Sequence, residues 1–315
     1  MGRQLRIEYP GAYYHVTARG NERKEVFKSE RDREKFLEYL ESSVVRYGAI
    51  IHAYCLMNNH YHVLFETPAG NLSQVMQHIN GAYTNYFNAK RKRSGHLLQG
   101  RYKAILVEAD EYATELSRYI HLNPVRVGAA LMPEEYRWSS YRDYVGLHEA
   151  PKWLNTGFIL GLFGGTKAVA QKKYRKFVEE AIGNEHESPL MGAVAATILG
   201  SADFVTEIHE RHVTAKSADR NLPALHQLAN RPDIDHIIEA VKEAFRENKQ
   251  LAGKAAIHLC HKYSGVKLRE IGERFGVKDS AVSQASRRFM VELDKNKELK
   301  NVVENVVKTM GLSNV

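Results

Sequence analysis

The sequence predicts an α+β fold, an antiparallel sheet with packed helices of the split β-α-β type, followed by an all-α C-terminal region. Three observations predict it. Over residues 1–147, short runs rich in Tyr, Val and Thr alternate with segments whose apolar residues recur at helical spacing. Two apolar runs are separated only by Asn58 and Asn59, which favours a tight antiparallel hairpin. From residue 234, helical periodicity continues to near the end of the chain.

The elements of the first domain follow from local signals. The predicted strands are 12–18, 49–57, 60–65 and 102–107, and the predicted helices are 29–47, 72–91 and 112–123. The first helix begins at the capping residue Ser29, and the third is expected to end before Pro124, which lacks an amide hydrogen. The order β-α-β-β-α-β-α is typical of a sheet covered by helices.

Composition changes divide the chain into three predicted parts. These are an α+β domain at 1–147, a helical connecting region at 148–233 and a helical C-terminal domain at 234–315. Within the connecting region we expect helices near 171–182 and 189–209. The polar stretch 214–222 is predicted to be a linker.

The bulk charge indicates a polyanionic partner. Among 315 residues, 45 Lys and Arg outnumber 37 Asp and Glu, giving a formal charge of +8. No apolar run is long enough for a membrane helix and the chain begins with charged residues, so a cytoplasmic protein without membrane contact is expected. Cys55 and Cys260 form no paired motif and are expected to be reduced and buried. The sequence also lacks a phosphate-binding loop, so no nucleotide is expected.

His60 and His62 are the first candidates for chemistry. They occupy alternate positions of a predicted strand, so both imidazoles point to the same side of the sheet. Two nitrogen ligands on one rigid face can bind a divalent metal. Taken alone, such a pair is more often a solvent-facing coincidence than a metal site.

Tyr119 is the second candidate, on a predicted helix whose apolar stripe includes Leu116 and Ile120. Asn123 lies one turn later on the same side of that helix. A core aromatic is the alternative for Tyr119. Tyr112, two turns earlier, is a further tyrosine candidate, for which a core role is favoured.

Three motifs, in this order and spacing, carry a family resemblance. They are PGAYYHVTARGN at 10–21, MNNHYHVL at 57–64 and YIHLNPVR at 119–126, closed by RWSSY at 137–141. Together they resemble the single-tyrosine (HUH) transposases of the IS200-like type, and within them the subgroup associated with repetitive extragenic palindromes (REP). The resemblance spans about the first 145 residues.

The resemblance implies a site and a reaction. His60, His62 and Asn123 would hold the metal, Mg²⁺ or Mn²⁺, and Tyr119 would be the nucleophile. Tyr61 is larger than the usual aliphatic residue between the two histidines, but it points to the opposite face of the strand. The expected enzyme is a DNA endonuclease and strand transferase that forms a 5′-phosphotyrosine on single-stranded DNA beside palindromic hairpins. Relatives assemble either as monomers or as homodimers, so both remain open.

Basic residues near this site are candidates for phosphate contacts. A loop between the second helix and the next strand contains no acidic residue, and Arg19 and Arg126 flank the motifs. The predicted DNA-binding residues of this domain are Arg19, Lys90, Arg91, Lys92, Arg93, Arg101, Lys103 and Arg126. A solvated loop is the alternative.

Residues 268–288 are typical of a helix-turn-helix and resemble the DNA-binding domain of bacterial replication initiators. The second helix would enter the major groove. Its predicted contact residues are Ser280, Ser283, Gln284, Arg287 and Arg288. A plain helical hairpin is the alternative.

Two other functions remain open at this point. One is a DNA-binding regulator that keeps the fold without cutting, and the other is a metal nuclease that uses water as the nucleophile. The first would bind hairpin DNA without cleaving it, and the second would cleave it without a protein adduct.

Overall fold

The computed structural model describes residues 6–183, 188–194, 196–213, 232–246, 248–264, 266 and 268–310, apart from a few helix side chains. Residues Arg6–Ala193 form one compact unit, and most of a second unit comes from Val194–Val315. The predicted linker at 214–222 lies outside the described residues. No helix in the described part of the chain is long and apolar enough to span a bilayer.

The first unit contains an antiparallel sheet with the predicted order of elements. Its members are β1 (Ala12–Arg19), α1 (Glu30–Tyr47), β2 (Ile50–Leu56), β3 (His60–Thr67), α2 (Leu72–Lys90), β4 (Lys103–Val107) and α3 (Ala109–Arg126). Within this unit the strands lie in the order β2–β3–β1–β4, and each neighbouring pair is antiparallel. The predicted α+β class is confirmed, and β3 is an interior strand.

One face of the sheet is covered by α1 and α2. Tyr61 points to this face, where its ring lies 4.7 Å from that of Phe36 in α1 and its hydroxyl donates to Asn80 Oδ1 in α2 at 2.7 Å. The helix α1 begins with a capping box, because Ser29 accepts from the backbone of Asp32 and Asp32 accepts from the backbone of Ser29. This face therefore supports the sheet from behind and leaves the other face for the two histidines.

The opposite face is covered by α3 and by segments beyond residue 140. These are α4 (Tyr141–Tyr144), α5 (Gly157–Gly161) and α6 (Lys167–Glu179). Their side chains share one core with the sheet and with α3, and its members include Ala53, Leu64, Ile120, Ile159, Tyr174 and Val178. Residues 148–193, part of the predicted connecting region, thus belong to the first compact unit.

The predicted end of α3 before Pro124 is wrong, because the helix continues to Arg126. Proline removes one helical N–H, and here that loss falls in the last turn. Two bonds lie on either side of it: the Val127 amide donates to the Asn123 carbonyl at 3.3 Å, and the Asn123 side chain donates to the Tyr119 carbonyl at 2.9 Å. The last turn therefore stays helical despite the proline.

The second unit is mainly helical. It contains a short strand β5 (Ile198–Leu199) and the helices α7 (Ala202–Ile208), α8 (Ile234–Ala244), α9 (Lys249–Leu259), α10 (Leu268–Phe275), α11 (Asp279–Lys295) and α12 (Lys297–Thr309). The predicted helix 189–209 is only partly correct, because the regular helix begins at Ala202 behind the capping residue Ser201. A turn with Gly276 at φ 68° joins α10 to α11, as a helix-turn-helix requires.

Both cysteines are free and buried, as predicted. Cys55 lies in the core beneath α3, and Cys260 lies in the core of the second unit. His258 is buried in the second unit, and the imidazoles of His258 and His261 both contact the Ser286 hydroxyl, at 2.9 and 3.0 Å.

Candidate active site

His60 and His62 lie on the face of β3 that α3 covers. Their ring centroids are 5.0 Å apart. In the register with β1, His62 pairs with Thr17 and His60 with Arg19, so these four side chains share one face at the end of the sheet. The alternation of the strand thus produces the predicted pair of imidazoles.

Burial keeps both imidazoles neutral. The pKa of His60 is lowered to about 4, mainly by burial and also by the nearby Arg19 charge. The pKa of His62 lies well below its ordinary value because the ring is buried and other histidines are close. Each ring therefore has a nitrogen lone pair at neutral pH, which is the form that binds metals.

Tyr119 projects from α3 onto this pair. Its ring centroid lies 5.7 Å from that of His62, nearly perpendicular, and 6.1 Å from that of His15. The guanidinium of Arg126, two turns further along α3, lies 4.9 Å from the centroid of the Tyr119 ring. The Tyr119 phenol, the imidazoles of the histidine pair and the Arg126 guanidinium thus lie together at one end of the sheet.

Asn123 lies one turn after Tyr119 and is largely buried. Its amide nitrogen donates to the Tyr119 carbonyl, so its oxygen is the atom with metal-ligand chemistry. Two neutral imidazole nitrogens and an amide oxygen are donors that could hold a divalent cation. In the described part of the chain, no group of three His, Cys, Asp or Glu side chains could hold a metal. A site here would therefore depend on the amide.

His15 lies directly beside His62 on this face of the sheet. Its Nε2 lies 2.9 Å from Nδ1 of His62, and the two rings stack at 5.1 Å. Burial lowers the pKa of His15 to about 4, so this ring is neutral too. The sequence signal was the motif spacing: His15 lies two residues before the β1 partner of His62, on the same face.

His121 faces the interior of the first unit rather than the solvent. It is fully buried between α3 and α6, where Nδ1 lies 2.7 Å from the Tyr174 hydroxyl and Nε2 lies 2.8 Å from the Ser140 hydroxyl. The Tyr174 hydroxyl also donates to Ser117 Oγ at 2.9 Å. Because Ser117 and His121 lie one turn apart on the same side of α3, this network fixes the rotation of the helix that carries Tyr119.

The predicted phosphate contacts fall into two groups. Arg19, Lys92, Arg93, Arg101 and Lys103 are exposed, and Lys103 pairs with Thr17 on the histidine face of the sheet. Lys90 and Arg91 instead contact the buried carboxylate of Asp32, Lys90 at 2.9 Å. Their charges therefore stabilise the start of α1.

In the predicted helix-turn-helix, Gln284 and Arg288 are exposed on α11. The side chains of Ser280, Ser283 and Arg287 lie outside the described ones. The backbone follows the predicted helix, turn and helix, and its role in DNA binding stays a prediction.

Residues 8–123 match the model of the IS200-like transposase family. A REP-associated tyrosine transposase solved with a REP hairpin is similar at 16% identity, covering 48% of this chain and 89% of that chain with a TM-score of 0.41. A structure described as a transposase from Deinococcus radiodurans R1 is similar at 19% identity, covering 38% and 94% with a TM-score of 0.27. No curated protein matches.

The family match confirms the resemblance that the motifs predicted. It covers just over a third of the chain and includes His60, His62, Tyr119 and Asn123. It ends at residue 123, so neither α6 nor the C-terminal helices fall within it.

Proposed function

We propose that this chain, in which residues 8–123 match the IS200-like transposase family, cuts and rejoins single-stranded DNA beside palindromic hairpins. The observation that carries the proposal is the approach of the Tyr119 ring to the His62 ring, at 5.7 Å, on the face that His60 shares. A nucleophile and two metal-binding imidazoles must meet in this way for a tyrosine to attack a phosphate.

In the proposed reaction, the Tyr119 oxygen attacks the scissile phosphorus and forms the bond of a 5′-phosphotyrosine. The bond from phosphorus to the 3′ oxygen breaks, and the proton lost by the phenol is balanced by the one that the leaving 3′-OH gains. A second 3′-OH can reverse these steps, so strands are joined without ATP. A divalent cation held by His60, His62 and Asn123 would polarise the phosphate and stabilise charge on its oxygens.

The protein's own residues have separate roles in this proposal. Arg126 supplies positive charge beside the phenol, and Arg19 and Lys103 supply exposed charge at the same end of the sheet. The His121 network holds α3 so that Tyr119 faces the histidines. The α10–α11 pair would bind the duplex arm of the hairpin through Gln284 and Arg288.

A covalent adduct tests the proposal. A labelled hairpin with single-stranded flanks, incubated with the protein and Mn²⁺, is expected to give a protein–DNA band on a denaturing gel. Tyr119→Phe should abolish the band, and Tyr112→Phe, on the same helix, should keep it. Cleavage without an adduct would favour the water-dependent nuclease, and binding without cleavage would favour the regulator.

A further inference from the structure

Each of the two candidate histidine ligands, His60 and His62, has one ring nitrogen in contact with a neighbouring side chain. His60 Nδ1 lies 2.7 Å from the side-chain oxygen of Asn59, and His62 Nδ1 lies 2.9 Å from Nε2 of His15. In a neutral imidazole, the partner of one nitrogen determines which nitrogen carries the proton. These two contacts therefore bear directly on which atoms can bind a cation.

The Asn59 side-chain amide is oriented by the bond that its nitrogen makes. Its Nδ2 donates to the Arg23 carbonyl at 3.1 Å, while the backbone carbonyl of Asn59 accepts from the Gly20 amide at 2.8 Å and anchors the residue in the turn. With the nitrogen used in this way, the side-chain oxygen faces His60. An amide oxygen only accepts hydrogen bonds, so His60 must carry its proton on Nδ1 and keep its lone pair on Nε2.

The loop that holds Asn59 has a backbone built for this contact. Glu22 and Arg23 both adopt positive φ, at 55° and 58°, which few residues other than glycine do. A Cβ on Gly20 would lie 2.0 Å from the Lys24 carbonyl oxygen, so only glycine fits there. The strained turn places the Arg23 carbonyl against the Asn59 amide.

His15 contacts His62 in the equivalent way. One proton lies between His15 Nε2 and His62 Nδ1, and when His62 donates it, His62 Nε2 carries the lone pair. His15 Nδ1 is buried without a hydrogen-bond partner in the described part of the structure. The contact alone thus leaves both proton arrangements open, and a cation on His62 Nε2 selects one.

We propose that Asn59 and His15 are positioning residues that present Nε2 of His60 and Nε2 of His62 to a divalent cation. The inference rests on the proposed role of these histidines as metal ligands. Partners of this kind orient a ligand ring and fix its proton, and their loss typically weakens metal binding by about 10–100-fold.

Calorimetric titration of the full chain with Mn²⁺ tests the proposal. We expect Asn59→Ala and His15→Phe each to raise the Kd at least about tenfold, and His15→Gln, which retains an acceptor, to recover part of the loss. Asn58→Ala is the matched control, because Asn58 lies in the same turn but its side chain accepts from Arg33 at 2.6 Å. Unchanged affinity in both test variants would overturn the proposal.

A second measurement needs no variant. Long-range ¹H–¹⁵N spectra of the ¹⁵N-histidine-labelled wild-type chain report which nitrogen carries the proton. We expect His60 to be protonated on Nδ1 without metal, and His62 to be so once Mn²⁺ is added. A His60 proton on Nε2 would contradict the role of Asn59, and an unchanged His62 mixture would contradict that of His15.

These results separate the inference from the proposed function. If Mn²⁺ binding and the proton positions behave as expected but no hairpin adduct forms, the proposed function fails and the inference stands. A wild-type chain that binds no Mn²⁺ would overturn the inference, whatever it does to DNA.

Discussion

At the scale of single residues, two periodicities bring the site together. His60 and His62 share a face because strand side chains alternate, and Tyr119 and Asn123 share a side because they lie one helical turn apart. Arg126 adds a cation directly over the phenol ring. Desolvation lowers the pKa of its guanidinium, which still carries its charge at neutral pH.

Arg126→Gln should therefore slow the formation of the DNA adduct. Removing one preorganised donor aimed at developing negative charge typically costs about 100–1000-fold in rate. Single-turnover kinetics with the labelled hairpin measure this directly. Arg118→Gln is the control, because the Arg118 guanidinium stacks on Phe177 at 4.1 Å and not on Tyr119. Equal effects of the two substitutions would contradict a special role for Arg126.

The residues that sequence reasoning identified, and those it undervalued, differ in a physical way. His60, His62, Tyr119 and Asn123 follow from spacing within one strand or one helix. His15 and His62 are 47 residues apart in the sequence, and they meet only because β1 pairs with β3 in one register. Tyr174 contacts His121 only because α6 packs against α3. Such contacts depend on the assembled fold, so local periodicity does not reveal them.

At the scale of elements, the start of α1 depends on charges that were predicted to bind DNA. Asp32 is buried in the capping box of α1 and contacts Lys90 and Arg91 at the end of α2. Burial alone would raise the pKa of Asp32, but bonds from Arg91 and Lys90 lower it to about 2. One carboxylate thus caps one helix and ties it to the next.

Asp32→Asn should destabilise the first unit by about 1.5–3 kcal/mol at pH 7, because it removes the charged acceptor of the bonds from Arg91 and Lys90. Since the folded pKa of Asp32 is depressed, this stabilisation is present above pH 4 and is lost as pH falls through about 2. Urea unfolding followed by tryptophan fluorescence measures it, since both tryptophans lie in this unit.

The difference in the free energy of unfolding between wild type and Asp32→Asn should become smaller as the pH falls from 4 towards 2. Glu34→Gln is the control on the same helix, because Glu34 forms an exposed pair with Arg31 at 3.3 Å. Exposed pairs contribute about 0–1 kcal/mol. A loss in Asp32→Asn no larger than that in Glu34→Gln would contradict the assignment.

At the scale of the whole molecule, the first compact unit extends beyond the segment that the family motifs cover. The motifs end near residue 145, yet the core under α3 includes Ile159, Leu160, Tyr174 and Val178. The glycine-rich composition after residue 157 was interpreted as the start of a connecting region. Composition does not show which apolar faces meet, so this packing was visible only in the fold.

A chain cut after residue 147 should therefore fail to fold cooperatively, whereas 1–193 should fold. The cut removes the buried side chains of Ile159, Leu160, Tyr174 and Val178 from the core. Losing four buried side chains costs about 6–12 kcal/mol, as an upper estimate. This loss is comparable to the whole stability of a domain, which is about 5–15 kcal/mol. The truncation also removes the Tyr174 hydroxyl from His121, which frees the helix that carries Tyr119. Urea unfolding and near-ultraviolet circular dichroism compare the two chains, and adduct formation shows whether 1–193 keeps its site. Cooperative unfolding and full adduct formation by 1–147 would show that α5 and α6 are dispensable for holding Tyr119 against the histidines.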